Sequence, residues 1–135
     1  MWRIDRGIVR ITKDNLDQGS VVTEAGKAYV RGMDDSPQNN GVPGQVLGQS
    51  LGGSGTAAAN LFAQSAVTQP SYLALQEIVY KCLQANPLTS ATLRWDFSYR
   101  TSTSARPYLV VLTVNYSEHN GASSACKSVV QRFDN

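Results

Sequence analysis

Residues 41–64 read GVPGQVLGQSLGGSGTAAANLFAQ, and residues 65–77 continue SAVTQPSYLALQE. The reading of this stretch decides the fold. Gly44, Gly48, Gly52, Gly53 and Gly55 fall within twelve positions, with amide side chains between them. A backbone that uses so many glycines adopts tight or positive-φ conformations, or lets another group approach it closely. The stretch divides into a short segment at 45–51 that suits a strand or a helical turn, a glycine turn at 52–56, and a strand at 59–64.

A helix comes next. Pro70 suits its first turn, where no backbone N–H is needed, and Leu75, Ile78, Val79, Cys82 and Leu83 recur at the spacing of one apolar helical face. Asn86-Pro87 ends it, so the expected helix spans about 70–85.

Outward from this centre, the chain alternates. Residues 2–12 predict a strand interrupted near Gly7, with Arg3, Arg6 and Arg10 along an edge. Residues 13–25 are polar and predict a loop, residues 27–33 a short strand, and residues 34–44 a turn rich in Asp, Asn, Pro and Gly. In residues 91–100, Leu93, Trp95, Phe97 and Tyr99 alternate with polar residues, which predicts a half-buried strand with the aromatic stripe as core. Residues 107–116 predict a more central strand and residues 126–133 a last one, separated by a polar turn that holds His119. The fold class is therefore α+β, with a mostly antiparallel sheet and one long helix, in a single domain over residues 1–135.

Composition narrows the function. Twelve basic and ten acidic residues give a net charge of +2, and the charged content of 16% is low. No Lys or Arg lies between Arg31 and Lys81, so the glycine-rich stretch brings no cation of its own. Any grip on phosphate must come from Arg3, Arg6, Arg10, Arg94, Arg100 or Arg106, with the last three as candidates for binding nucleic acid. No apolar run is long enough for a membrane span, and the start MWRIDR has no signal-peptide core. The polar, weakly charged composition suits a secreted protein. Cys82 and Cys126 allow one disulfide or a pair of buried thiols. Asn115-Tyr116-Ser117 is a glycosylation sequon.

The motif resembles the DNA/RNA non-specific endonucleases of the ββα-metal class, especially their small toxin-like branch. Gly44, Gly48, Leu51, Gly52, Gly53, Ser54 and Gly55 match the family's glycine-rich pattern, and Asn60, Leu61, Gln64 and Glu77 match its strand and helix residues beyond the turn. The resemblance implies a ββα unit and metal-dependent phosphodiester hydrolysis, with Mg²⁺ as the metal and nucleic acid as the substrate. It also places Gln45 at the family's catalytic His, Pro43 at the Arg two residues before it, Gln69 at the metal-binding Asn and Glu77 at the glutamate that orients metal-bound water. Gly52, Gly53, Gly55 and Asn60 stand at structural positions, with Asn60 and Gln64 expected to satisfy backbone groups of the glycine turn.

An amide cannot take a proton from water near neutral pH, and loss of a general base costs roughly 10²–10⁴ in rate. Gln69 is one methylene longer than Asn, and Mg²⁺ demands near-ideal octahedral geometry. The expectation is therefore a catalytically impaired member of the family, a pseudoenzyme. The alternative is a non-enzymatic secreted binding or interaction protein on the same scaffold, with a protein partner. Glu77 also pairs with Lys81 one helical turn on. His119 is the sole histidine and sits in a turn sequence. Asp34-Asp35 reads either as a cation site or as solvated loop carboxylates.

Overall fold

The longest helix is α2, Gln69–Ala85, in the computed structural model, which describes residues 3–118 and 126–135. Pro70 lies in its first turn, and Asn86 closes it by sending its side-chain amide to the Cys82 carbonyl at 2.8 Å. The buried face consists of Tyr72, Leu75, Gln76, Val79 and Leu83. Ile78, expected on that face, is 61% exposed, because the stripe runs through Tyr72 and Gln76 instead.

This face packs on a four-stranded antiparallel sheet of order β1-β4-β5-β6, made of Arg6–Ile11, Thr89–Ser98, Leu109–Glu118 and Val129–Asp134. Strand alternation puts Leu93, Trp95 and Phe97 of β4 opposite Val114, Leu112 and Val110 of β5, all buried against α2. The aromatic stripe is thus core for Trp95 and Phe97, while Tyr99 lies partly buried under the Arg3 guanidinium, 4.0 Å from its ring centre. Trp95 donates its ring N–H to the Tyr72 hydroxyl at 2.8 Å, which in turn donates to the Val46 carbonyl. Burial pushes the Tyr72 hydroxyl well above its ordinary pKa, so it stays a neutral donor.

A separate two-stranded ribbon joins β2, Gly41–Gln45, to β3, Leu61–Ser65. Phe62 faces α2 and the main core, whereas Leu61 and Ala63 pack with Val30 of helix α1, Glu24–Met33.

Among the described residues a second, shorter α-helix accompanies the long one. The strand expected over 27–33 is α1, begun by the Thr23 hydroxyl, which accepts from the Gly26 N–H at 3.1 Å. Gly26 is buried where a Cβ would stand about 3 Å from Gly55 O, so α1 needs a small residue there to approach the glycine turn. The turn expected over 34–44 ends instead in strand β2. Cys82 and Cys126 form a disulfide with Cα atoms 5.8 Å apart. His119 lies outside the described residues.

Candidate functional site

The glycine turn between β2 and β3 is fastened from three sides. Gly52 has φ of 99°, which closes the short 3-10 turn at Gln49–Leu51. Gly53 and Gly55 lie where an added Cβ would overlap the carbonyls of Leu47 and Val21, so here glycine serves close backbone approach. Asn60 accepts from the Leu47 N–H at 2.8 Å and donates to the Leu47 and Ser54 carbonyls at 2.9 and 2.8 Å. One side chain thereby satisfies three backbone groups of the turn.

Gln64 does not join that network. It is buried, and its Oε1 accepts from Gln69 Nε2 at 3.0 Å. The same Gln69 nitrogen donates to the Pro43 carbonyl at 3.1 Å, so the start of α2 is pinned to the ribbon. Further along the helix, Gln76 accepts from the Gly48 N–H at 2.7 Å and donates to the Val46 carbonyl at 2.9 Å.

Gln45 faces the other way. It pairs with Leu61 in the ribbon, on the side that packs toward α1, and its Nε2 donates to the Ser20 carbonyl at 2.9 Å. Gln64, paired with Val42, lies beside Gly44 on the α2 side with Phe62. The ribbon therefore separates the Gln45 side chain from the Gln64–Gln69 pair. Glu77 is exposed on α2, 3.9 Å from Lys81 Nζ. The three residues singled out for chemistry are not brought together.

The candidate arginines are equally dispersed. Arg94 lies on the sheet face away from α2, 3.3 Å from Asp96. Arg100 stands over the Tyr108 ring at 4.9 Å, in a cleft of about 430 Å³ that also includes Asp35, Pro37 and Arg106 but not Gln45, Gln69 or Glu77. Arg106 is no surface cation. Its guanidinium is buried, bonded to Asp34 and Asn40 and to the Asn135 carbonyl. Asp34 is withdrawn from solvent and Asp35 is exposed, and among the described residues neither belongs to a cluster of carboxylates that could hold a cation. Asp34 also accepts from the Gly41 N–H at 2.9 Å, and Asp35 caps the N–H groups of Ala105 and Arg106 at 2.7 and 3.0 Å.

Two contributors escaped the sequence reading. Ser20 holds both Gln45 and the glycine turn, since its hydroxyl accepts from the Gly55 N–H at 2.8 Å. It sits in a polar loop with nothing to mark it. Gln76 did carry a signal, as an amide set within the apolar stripe one turn after Tyr72.

Two solved structures superpose on this fold. An extracellular endonuclease superposes with a TM-score of 0.61 at 13% identity, covering 96% of this chain and 61% of its own. Sda1 nuclease, solved with a bound zinc ion, superposes at 0.64 with 16% identity, covering 98% of this chain and 70% of its own. The chain shares its fold with these two nucleases. No family model matches the sequence, and no curated protein matches it. No helix among the described residues is long and apolar enough to cross a membrane.

Zinc in one neighbour and Mg²⁺ in the resembled family raise the question of a metal here. Among the described residues, no three His, Cys, Asp or Glu side chains converge. Gln69 directs its amide nitrogen at two acceptors on the ribbon, and Glu77 is turned to Lys81. Zinc takes nitrogen, sulfur and carboxylate ligands in a tight set, and Mg²⁺ is usually held through one or two carboxylates. Among the described residues no ligand set of the kind zinc takes is assembled, and Glu77 is a lone carboxylate on its face of α2.

Proposed function

We propose that this chain is a nuclease-fold domain of the ββα-metal type that binds DNA or RNA and hydrolyses it poorly or not at all. In this reading Gln45 occupies the family's His position, Gln69 its metal-binding Asn, and Glu77 its water-orienting glutamate. Arg94 and Arg100 are the candidate cations for phosphate, and Arg106 is a structural residue. The observation that carries the reading is the direction of Gln45. Its amide donates to the Ser20 carbonyl on the far side of the ribbon from Gln69. A group so placed neither accepts a proton from water nor shares a reacting atom with the start of α2.

A second reading, a non-enzymatic secreted interaction protein on this scaffold, draws on the absence of Lys and Arg from residues 32–80. Secretion is supported for either reading by the Cys82–Cys126 disulfide, which belongs to oxidising compartments.

The test is plasmid and RNA cleavage with Mg²⁺ or Mn²⁺, beside nucleic-acid binding by the same protein. Binding without cleavage is expected. Cleavage abolished by chelator would overturn the impaired reading, and neither binding nor cleavage would favour the interaction protein.

A further inference from the structure

The face of the main sheet opposite α2 is uncovered among the described residues: Ile8 is 72% and Val130 67% exposed. The strand register places four arginines on it. Arg6 and Arg10 project from edge strand β1, Arg94 from β4 and Arg132 from the other edge, β6. Asp96 sits between Arg6 and Arg94, 3.3 Å from each guanidinium, and Asp134 occupies the far corner. Arg10 and Arg132 are exposed. Four arginines against two aspartates leave an excess of two positive charges, equal to the net charge of the entire chain.

Resting on the nucleic-acid reading above, we propose that this open sheet face is a phosphate-backbone docking surface for duplex nucleic acid, separated by the sheet from the β2–β3–α2 unit. Four strands at about 4.8 Å spacing spread the arginines over about 14 Å. A duplex strand advances only about 3.4 Å per phosphate, so the footprint spans several charges. No aromatic side chain of the paired strands lies on this face to stack a base, so recognition is independent of sequence. Protein interfaces bury an apolar centre inside a polar rim. Here the row Ile8, Arg94, Thr113, Val130 has its aliphatic residues at the edges, the next row, Arg6, Asp96, Val111, Arg132, has one aliphatic residue among three charged ones, and β4, at the centre, presents only polar residues to this face. Nucleic acid held there lies away from Gln69 and Glu77, which separates binding from any residual cleavage.

The experiment measures binding of a fluorescent 20-base-pair duplex by anisotropy across a salt series. It compares the natural chain, the double variant Arg10→Gln/Arg132→Gln, and Arg10→Lys/Arg132→Lys. Losing two phosphate contacts should flatten the slope of log K against log salt by about 2 and weaken binding roughly ten- to hundredfold at 0.1 M salt. The lysine pair should retain the natural slope. If the natural chain binds and the glutamine pair binds with unchanged slope, the sheet face is not the docking surface and is left for a protein partner. Loss of binding in the lysine pair as well would mean a structural effect and overturn the assignment. If the natural chain binds no nucleic acid, the nuclease reading falls together with this proposal.

Discussion

Arg106 Nη1 lies 3.0 Å from Asp34 Oδ1, with the two side chains only 1% and 8% exposed. The pair ties the segment before β2 to the connection between β4 and β5. Removing one partner leaves the other charge buried without compensation, at about 3–5 kcal/mol. Arg106→Leu should therefore lower the urea midpoint strongly, while leaving nucleic-acid affinity per folded molecule unchanged.

The same pair sets an acid limit. Burial alone would raise the pKa of the Asp34 carboxyl, but the hydrogen bond and charge of Arg106, with the Gly41 N–H, outweigh it and hold it below the ordinary 3.8. The folded state thus binds this proton less readily than the unfolded chain. The stability this confers is complete above the ordinary value and is lost as pH falls through the depressed one. Thermal melts between pH 5 and 2 should show a shallower acid decline for Asp34→Asn than for the natural chain.

Asn60 is the single side chain that serves three backbone groups of the glycine turn. Asn60→Ala leaves these part-buried groups unpaired, at about 1–3 kcal/mol. Asn60→Asp keeps the acceptor for the Leu47 N–H but sets a carboxylate against two carbonyls. Both variants should melt earlier than the natural chain, which differential scanning calorimetry would read directly.

Restoring histidine at position 45 should not restore hydrolysis. The residue there shares a ribbon face with Leu61 and is turned to Ser20, whereas Gln69 bonds Gln64 on the α2 side. Gln45→His alone should give no plasmid relaxation with Mg²⁺. Relaxation enhanced by the roughly 10²–10⁴ that a general base supplies would show that the ribbon side chains reorganise around substrate.

The disulfide spans a sequence separation of 44. Chain-entropy arguments assign such a loop about 4 kcal/mol. Reduction, or the Cys82→Ser/Cys126→Ser double variant, should lower unfolding free energy by up to that amount.

The sequence revealed most where one physical signal dominated. Pro70, Asn86-Pro87 and an apolar period located α2, and strict alternation located β4 and β5. Helix α1 was hidden because Ala28-Tyr29-Val30 reads as a strand, while its capping Thr23 and small Gly26 gain meaning only against the glycine turn. Strand β2 was hidden by Gly41, Pro43 and Gly44, which locally favour turns and pair only because β3 returns beside them. At the candidate site, residue types were readable but directions were not. Whether Gln45 faces Gln69 depends on ribbon register, and whether Arg106 is surface or core depends on Asp34 and Asn135 across the fold.

The pairing of β1 with β4 joins Arg6 to Asp96 and Ile11 to Ala91, across most of the chain. By contrast, β2, β3 and α2 are contiguous, and β4 to β6 form successive antiparallel neighbours. Non-local pairing is slow, because chain closure must precede the contacts that reward it. During synthesis β1 therefore waits for β4, and in refolding its amides should gain exchange protection after those of β4 and β5.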